Sequence, residues 1–87
     1  MTDPRQLLGQ GLALHRQGRL AEAEALYRQA LEALPGAPEA LNLLGALLAQ
    51  QGGERLDEGI ACLQQAVAAA PGRGDLRLNL ANALRIA

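Results

Sequence analysis

The 87-residue chain predicts an all-α fold, a stack of antiparallel helix pairs made of two repeats and one extra C-terminal helix. Three observations carry that expectation. The apolar residues are nearly all Leu and Ala, with one Tyr and no Phe or Trp, so intrinsic propensity favours helix over strand. Apolar residues recur at three- and four-residue spacing, which gives each segment one stripe that it cannot bury alone. Helix-stopping signals recur too, in "LPGAP" around Pro35 and "APGRG" around Pro71, 36 residues apart.

The first helix is expected over about residues 4–17. Asp3 ahead of Pro4 suits an N-cap, Leu7, Gly11 and Leu14 form the stripe, and "RQG" at 16–18 ends it with a glycine. The second is expected over about 20–34 and must stop near Leu34, because Pro35 lacks an N–H and biases its predecessor away from helical torsions. The third, about 38–51, opens on Pro38 and Glu39, both welcome in a first turn. It carries Leu41, Leu44, Gly45 and Leu48, and "QQGG" at 50–53 closes it. The fourth, about 56–70, carries Ile60, Leu63 and Val67, and the fifth, about 75–86, is capped or opened by Asp75.

The two halves align residue by residue. Gly11 faces Gly45 and Gly18 faces Gly52 at 34 residues, whereas Leu20 faces Leu56, Ala23 faces Gly59, Tyr27 faces Leu63 and Ala30 faces Ala66 at 36. The second unit therefore has two extra residues in its middle turn, most simply Gly53 and Glu54, where a surface turn accepts insertion. The chain is thus expected to be one domain over 1–87, with repeat one at about 4–37, repeat two at about 38–74 and a terminal helix at about 75–86.

These residues resemble the tetratricopeptide repeat (TPR) family, whose helix-turn-helix unit has a bulky residue, Leu-Gly, a large residue, a small residue, an aromatic and a closing Pro. The first unit offers Leu7, Gln10-Gly11, Leu14, Ala23, Tyr27, Ala30 and Pro35. The second offers Leu41, Leu44-Gly45, Leu48, Gly59, Leu63, Ala66 and Pro71, and Arg77, Leu80-Ala81 and Leu84 begin a third. Gln10, Gly59 and Arg77 depart from the usual choices. The resemblance implies a right-handed superhelical solenoid in which Gly11 and Gly45 admit a close second helix. It also implies a binding scaffold whose first helices line a concave groove for a peptide or partner protein. Carried over by position, that groove comprises Arg5, Leu8, Leu12 and His15, then Glu39, Asn42, Ala46 and Ala49, then Asp75, Leu78, Asn79, Asn82 and Arg85. Without Lys, and with Leu8 and Leu12 where a carboxylate clamp would begin, the groove is ill suited to the C-terminal tails that chaperone-binding members grip. "NLAN", Asn79 to Asn82, is similar to the asparagine-bearing repeat arms of protein O-glycosyltransferases, where amides pair with a ligand backbone. The alternative is that Asn82 simply faces water. A second functional reading follows, the recruiting arm of a larger glycosyltransferase or sulfotransferase.

Other classes find little support. A formal net charge of −1 and scattered arginines leave no basic stripe for nucleic acid or an anionic membrane. No run approaches a membrane span, "MTDPRQ" is no signal peptide, and a lone cysteine agrees with a reducing compartment, so the expectation is a soluble cytoplasmic protein. Its all-arginine cations suit a GC-rich bacterial genome. His15 has no patterned nucleophile or carboxylate partner and reads as a solvated helix-end residue favoured by the dipole. Cys62 has no metal-ligand spacing around it and reads as a small packing residue, and Tyr27 reads as core with its hydroxyl at the edge. "RGD" at 73–75 lies in a helix-helix turn, and "GQG" at 9–11 follows no strand. The expectation is no enzyme, no cofactor and no metal.

The fifth helix carries Leu76, Leu78, Leu80, Leu84 and Ile86, apolar on more than one face, whereas a terminal repeat helix should be polar outside. Two explanations follow: a fragment of a longer repeat protein, or a homodimer that covers this surface through outward Leu78 and Ile86.

Overall fold

The computed structural model describes residues 3–87; Met1 and Thr2, part of "MTDPRQ", lie outside them. Five helices follow in order: α1 (Pro4–Arg16), α2 (Leu20–Ala33), α3 (Pro38–Gln51), α4 (Glu54–Ala69) and α5 (Gly74–Ile86). Among the described residues there is no strand. The Asp3 carboxylate accepts from the Arg5 N–H at 2.9 Å and caps α1. Gly18, at φ +80°, lets the chain turn back after α1. α2 stops with Leu34 as its C-cap in extended torsions ahead of Pro35, and α3 restarts with Pro38 in its first turn.

The fourth helix differs from its expected start. Glu54 is its first residue rather than part of the turn, because Gly52 and Gly53, at φ +70° and +58°, reverse the chain within two residues. The insertion thus lengthens α4 at its N-terminus and places Arg55 in the first turn. The last helix begins at Gly74 with Arg73 as N-cap, so Asp75 opens it rather than capping it.

The helices form a repeat stack. α1 packs on α2, α3 on α4, and the central α3 touches all four others. Tyr27, Leu44, Leu47, Leu48, Leu63 and Leu76 are the largest fully buried side chains, and half of them come from α3. A Cβ built on Gly45 would lie 2.8 Å from the Leu63 side chain and 2.9 Å from the Gly59 carbonyl oxygen, and one on Gly59 would lie 2.8 Å from the Gly45 oxygen. At Gly11 it would lie 2.6 Å from the Tyr27 ring. The first pair is therefore spaced by an aromatic ring, and the second by backbone on backbone.

α2 and α4 do not pack directly on each other. They are joined by charge: Glu24 accepts from Arg28 on its own helix and from Arg55 on α4, and Arg28 reaches Glu58 at 3.0 Å. Between them lies a cleft of about 430 Å³, lined by Leu31, Leu41, Leu44 and Cys62 among others. The hydrogen bond from Arg55 holds the Glu24 carboxyl below its ordinary 4.5, against the opposing effect of burial.

Two outcomes follow from these contacts. Gly45→Ala is expected to destabilise the fold by about 1–3 kcal/mol through overpacking against fixed backbone. Gly9→Ala, at a helical site with open space around its Cβ, is expected to stabilise it by about 0.5–1 kcal/mol; urea denaturation checks both. Because the Glu24 pKa is depressed, its contribution is fully present above the ordinary value of 4.5 and is lost as pH falls through the native pKa. Glu24→Gln is expected to lower Tm by about 2–5 °C at neutral pH, and the two melting curves should converge in acid.

Candidate functional site

Asn42, in the first half of α3, is 7% exposed and the only buried polar side chain among the described residues. A buried amide needs partners, and α5 supplies one: Asn79 Nδ2 donates to Asn42 Oδ1 at 2.9 Å. This leaves the Asn42 amino group and the Asn79 carbonyl with hydrogen-bonding capacity to spare. Beside this pair lies a cleft of about 200 Å³ between α3 and α5, walled by Ala46, Ala49, Leu63, Ala83 and Ile86, with Gln50 and Asn82 at its rim. The site is a small apolar notch next to a pair of neutral amides.

His15 is placed differently from its expected solvated position. It is partly buried, its Nε2 lies 2.7 Å from Gln50 Oε1, and its Nδ1 lies 3.2 Å from the Tyr27 hydroxyl. With Nε2–H donating to the Gln50 carbonyl, Nδ1 is left to accept from Tyr27. Tyr27 is fully buried, so its hydroxyl is covered by His15 rather than lying at an open edge. Burial pushes the phenol pKa up, which keeps the hydroxyl a donor. One imidazole thus ties α1 to α2 and α3 at one end of the stack.

The remaining sequence-selected residues divide into three sets. Leu8 is half-buried and packs against two parts of the core, and Ala49 is core beneath α4; both wall the stack more than they line an open surface. Leu12 and Ala46 are half-buried, and Arg5 is exposed. Glu39 and Asp75 are held by one guanidinium: Arg73 donates to Glu39 at 2.9 Å and to Asp75 at 2.7 Å, which lowers the Asp75 pKa. Arg73 and Asp75 of "RGD" therefore tie the start of α5 to the first turn of α3. Asn82 is exposed and accepts from Arg85 at 2.8 Å, so it meets a guanidinium as well as water.

The structure separates Leu78 from Ile86. Both are about three-fifths exposed, at 61% and 62%, but Ile86 lines the notch with α3, and Leu78 is absent from its walls. Eight residues on a helix turn the side chain by about 80°. Gln50, Leu63, Ala83 and Ile86 are notch residues that positional carry-over missed. The run Asn79, Asn82, Ala83 and Ile86, at three- and four-residue spacing, was the signal available in the sequence for Ile86.

Burial pushes the Cys62 thiol up, away from the reactive thiolate, and among the described residues no three His, Cys, Asp or Glu side chains gather to hold a metal. Among the described residues no helix is long and apolar enough to cross a membrane.

Residues 11–52, which span the second half of α1 and all of α2 and α3, match a family model described as TPR repeat. The match covers slightly under half of the chain. No curated protein matches it. Repeats of this family generally mediate protein–protein interaction and are typically non-catalytic.

The amide pair makes a quantitative claim. In a double-mutant cycle of Asn42→Ala and Asn79→Ala, the coupling energy read by urea denaturation is expected to be about 0.5–1.5 kcal/mol.

Proposed function

We propose that the chain is a non-catalytic protein-interaction scaffold that holds an extended peptide of a partner protein along the face formed by α1, α3 and α5. The observation that carries this reading is the Asn42–Asn79 pair, of which Asn79 lines the notch. Its spare donor and acceptor match the C=O and N–H of one peptide unit, so main chain is held without reading sequence. The notch, about 200 Å³ and almost wholly apolar, takes one aliphatic or aromatic side chain of the same peptide. Arg5 and Leu12 extend the binding face on α1, with Leu8 and His15 supporting it from within the stack, Ala46 floors it on α3, and Asn82 lies beside it on α5. In this reading residues 1–87 act as one unit, without cofactor or metal, in the cytoplasm.

The asparagines also favour a second reading, in which the same face recruits substrate for a larger glycosyltransferase or sulfotransferase. The ligand is again an extended peptide, here one that the enzyme modifies. Self-association through the α5 surface, with Leu78 and Ile86 exposed, is a further way of using the same helix.

A randomised peptide display against the intact chain tests the first reading. Selected peptides are expected to share one apolar residue and no fixed charge. Asn42→Ala with Asn79→Ala is expected to weaken them about tenfold, as loss of two hydrogen bonds implies. Ile86→Asp should abolish the apolar preference. Peptides selected for charge and indifferent to these changes would overturn it.

A further inference from the structure

α5 repeats a face that the structure shows twice over. On α1 and α3, the positions around Gly11 and Gly45 receive a second helix, α2 and α4 respectively. At the 36-residue offset that aligns Pro35 with Pro71, the α3 residues Leu44, Gly45 and Leu48 correspond to Leu80, Ala81 and Leu84 of α5. Leu80 packs in part against the core, but Ala81 and Leu84 are exposed, Leu84 by 49%. Among the described residues no helix lies over them.

The ends of this face say what covers it. In α3 the flanking positions are Leu41, which packs with Ala66 late in α4, and Ala49, which packs with Leu56 early in α4. In α5 the same positions are Arg77 and Arg85. Among the described residues neither has an acidic partner, as is also true of Arg5 and Arg16 on α1, whereas Arg19, Arg28, Arg55 and Arg73 each pair with a carboxylate. Arg85 meets only the neutral Asn82 amide. A helix lying antiparallel on α5, as α4 lies on α3, would bring its first turn to Arg85 and its last carbonyls to Arg77. Acidic first turns and the negative end of the helix dipole suit those two positions. The two covering helices in this chain have that character: α2 carries Glu22 in its first turn, and α4 carries Glu54 and Asp57. A second copy of α5 does not, because Ala81 lies midway between Arg77 and Arg85. A two-fold pairing about Ala81 would set the arginines of one copy against those of the other.

We propose that the exposed face of α5, Ala81 and Leu84 between Arg77 and Arg85, docks an amphipathic helix of a partner protein that has acidic residues in its first turn and a small residue facing Ala81. The face is separate from the peptide-binding notch and needs no bound peptide.

The probe is a synthetic peptide of residues 54–70 of this chain carrying Cys62→Ser, which supplies Glu54, Asp57, Glu58 and Gly59 in the required order. It is titrated into the ¹⁵N-labelled intact chain. Saturable amide shifts centred on Arg77, Ala81, Leu84 and Arg85 are expected. Arg85→Glu should weaken binding by about three- to tenfold, as loss of a rim charge pair implies, with the circular dichroism of the variant unchanged. A peptide with Glu54→Lys, Asp57→Lys and Glu58→Lys should bind more weakly to the native chain and recover on Arg85→Glu. No shift in α5 at about 1 mM peptide, the weak end of measurable affinity, would overturn the proposal. Shifts confined to Leu44 and Leu48, where the peptide displaces α4, would do so too. So would α5 shifts that track chain concentration and ignore the peptide, which would assign the face to a second copy.

Discussion

The backbone contact of α3 with α4 at Gly45 and Gly59 is the constraint on which the rest of the stack depends. Each glycine is where the other helix's carbonyl would meet a Cβ, so the two axes lie closer than side chains would allow. That closeness buries Leu48 and Leu63 on either side of the crossing. It also makes α3 narrow enough to be shared: α2 packs on one flank, α5 on the other, and α1 lies alongside. A domain with one tyrosine as its only aromatic has few bulky side chains with which to fill a core. Bringing backbones together leaves less volume to fill, and Leu and Ala then suffice.

The two units reach the same topology by different contacts. In the first, Tyr27 fills the space that close backbones remove in the second, and its hydroxyl must then be satisfied inside the stack. His15 does so, and its other nitrogen reaches Gln50, so the cost of burying a phenol is met by a side-chain chain that also joins the two repeats. In the second, Leu63 makes no such demand. The polar link there runs between the second helices of the two pairs, where Arg55 reaches from the lengthened first turn of α4 to Glu24. The insertion at Gly53 and Glu54 is what brings Arg55 to that place.

The helices and their pairing were legible in the sequence because prolines, glycines and three-four periodicity are local signals that tertiary contacts here do not override. The start of α4 was not, since two consecutive glycines at positive φ make a tighter reversal than one glycine at the aligned Gly18 implies. Asn42 and Asn79 were placed on the binding face by position, but their mutual hydrogen bond joins residues 37 apart and depends on how α3 and α5 cross. Ile86 is exposed, and because α5 is apolar on several faces, only its packing geometry shows that it also lines the notch with α3. The environment of His15 was hidden for the same reason: Gln50 lies 35 residues away, on another helix.

In the readings proposed above, the two faces of α5 recognise by different physics. On the notch side the polar groups are amides, which hold main chain through short-range directional bonds that added salt barely screens. On the opposite side, Arg77 and Arg85 flank Leu84 without acidic neighbours, and their attraction for a carboxylate acts over a Debye length of about 8 Å at physiological ionic strength. The other guanidiniums of the later helices are already spent: Arg55 on Glu24, and Arg73 on Glu39 and Asp75. One helix thus presents neutral amides to α3 and unpaired cations to solvent. On those readings the two edges take different ligands, since an acidic helix has no use for the notch and an extended neutral peptide has none for the arginines.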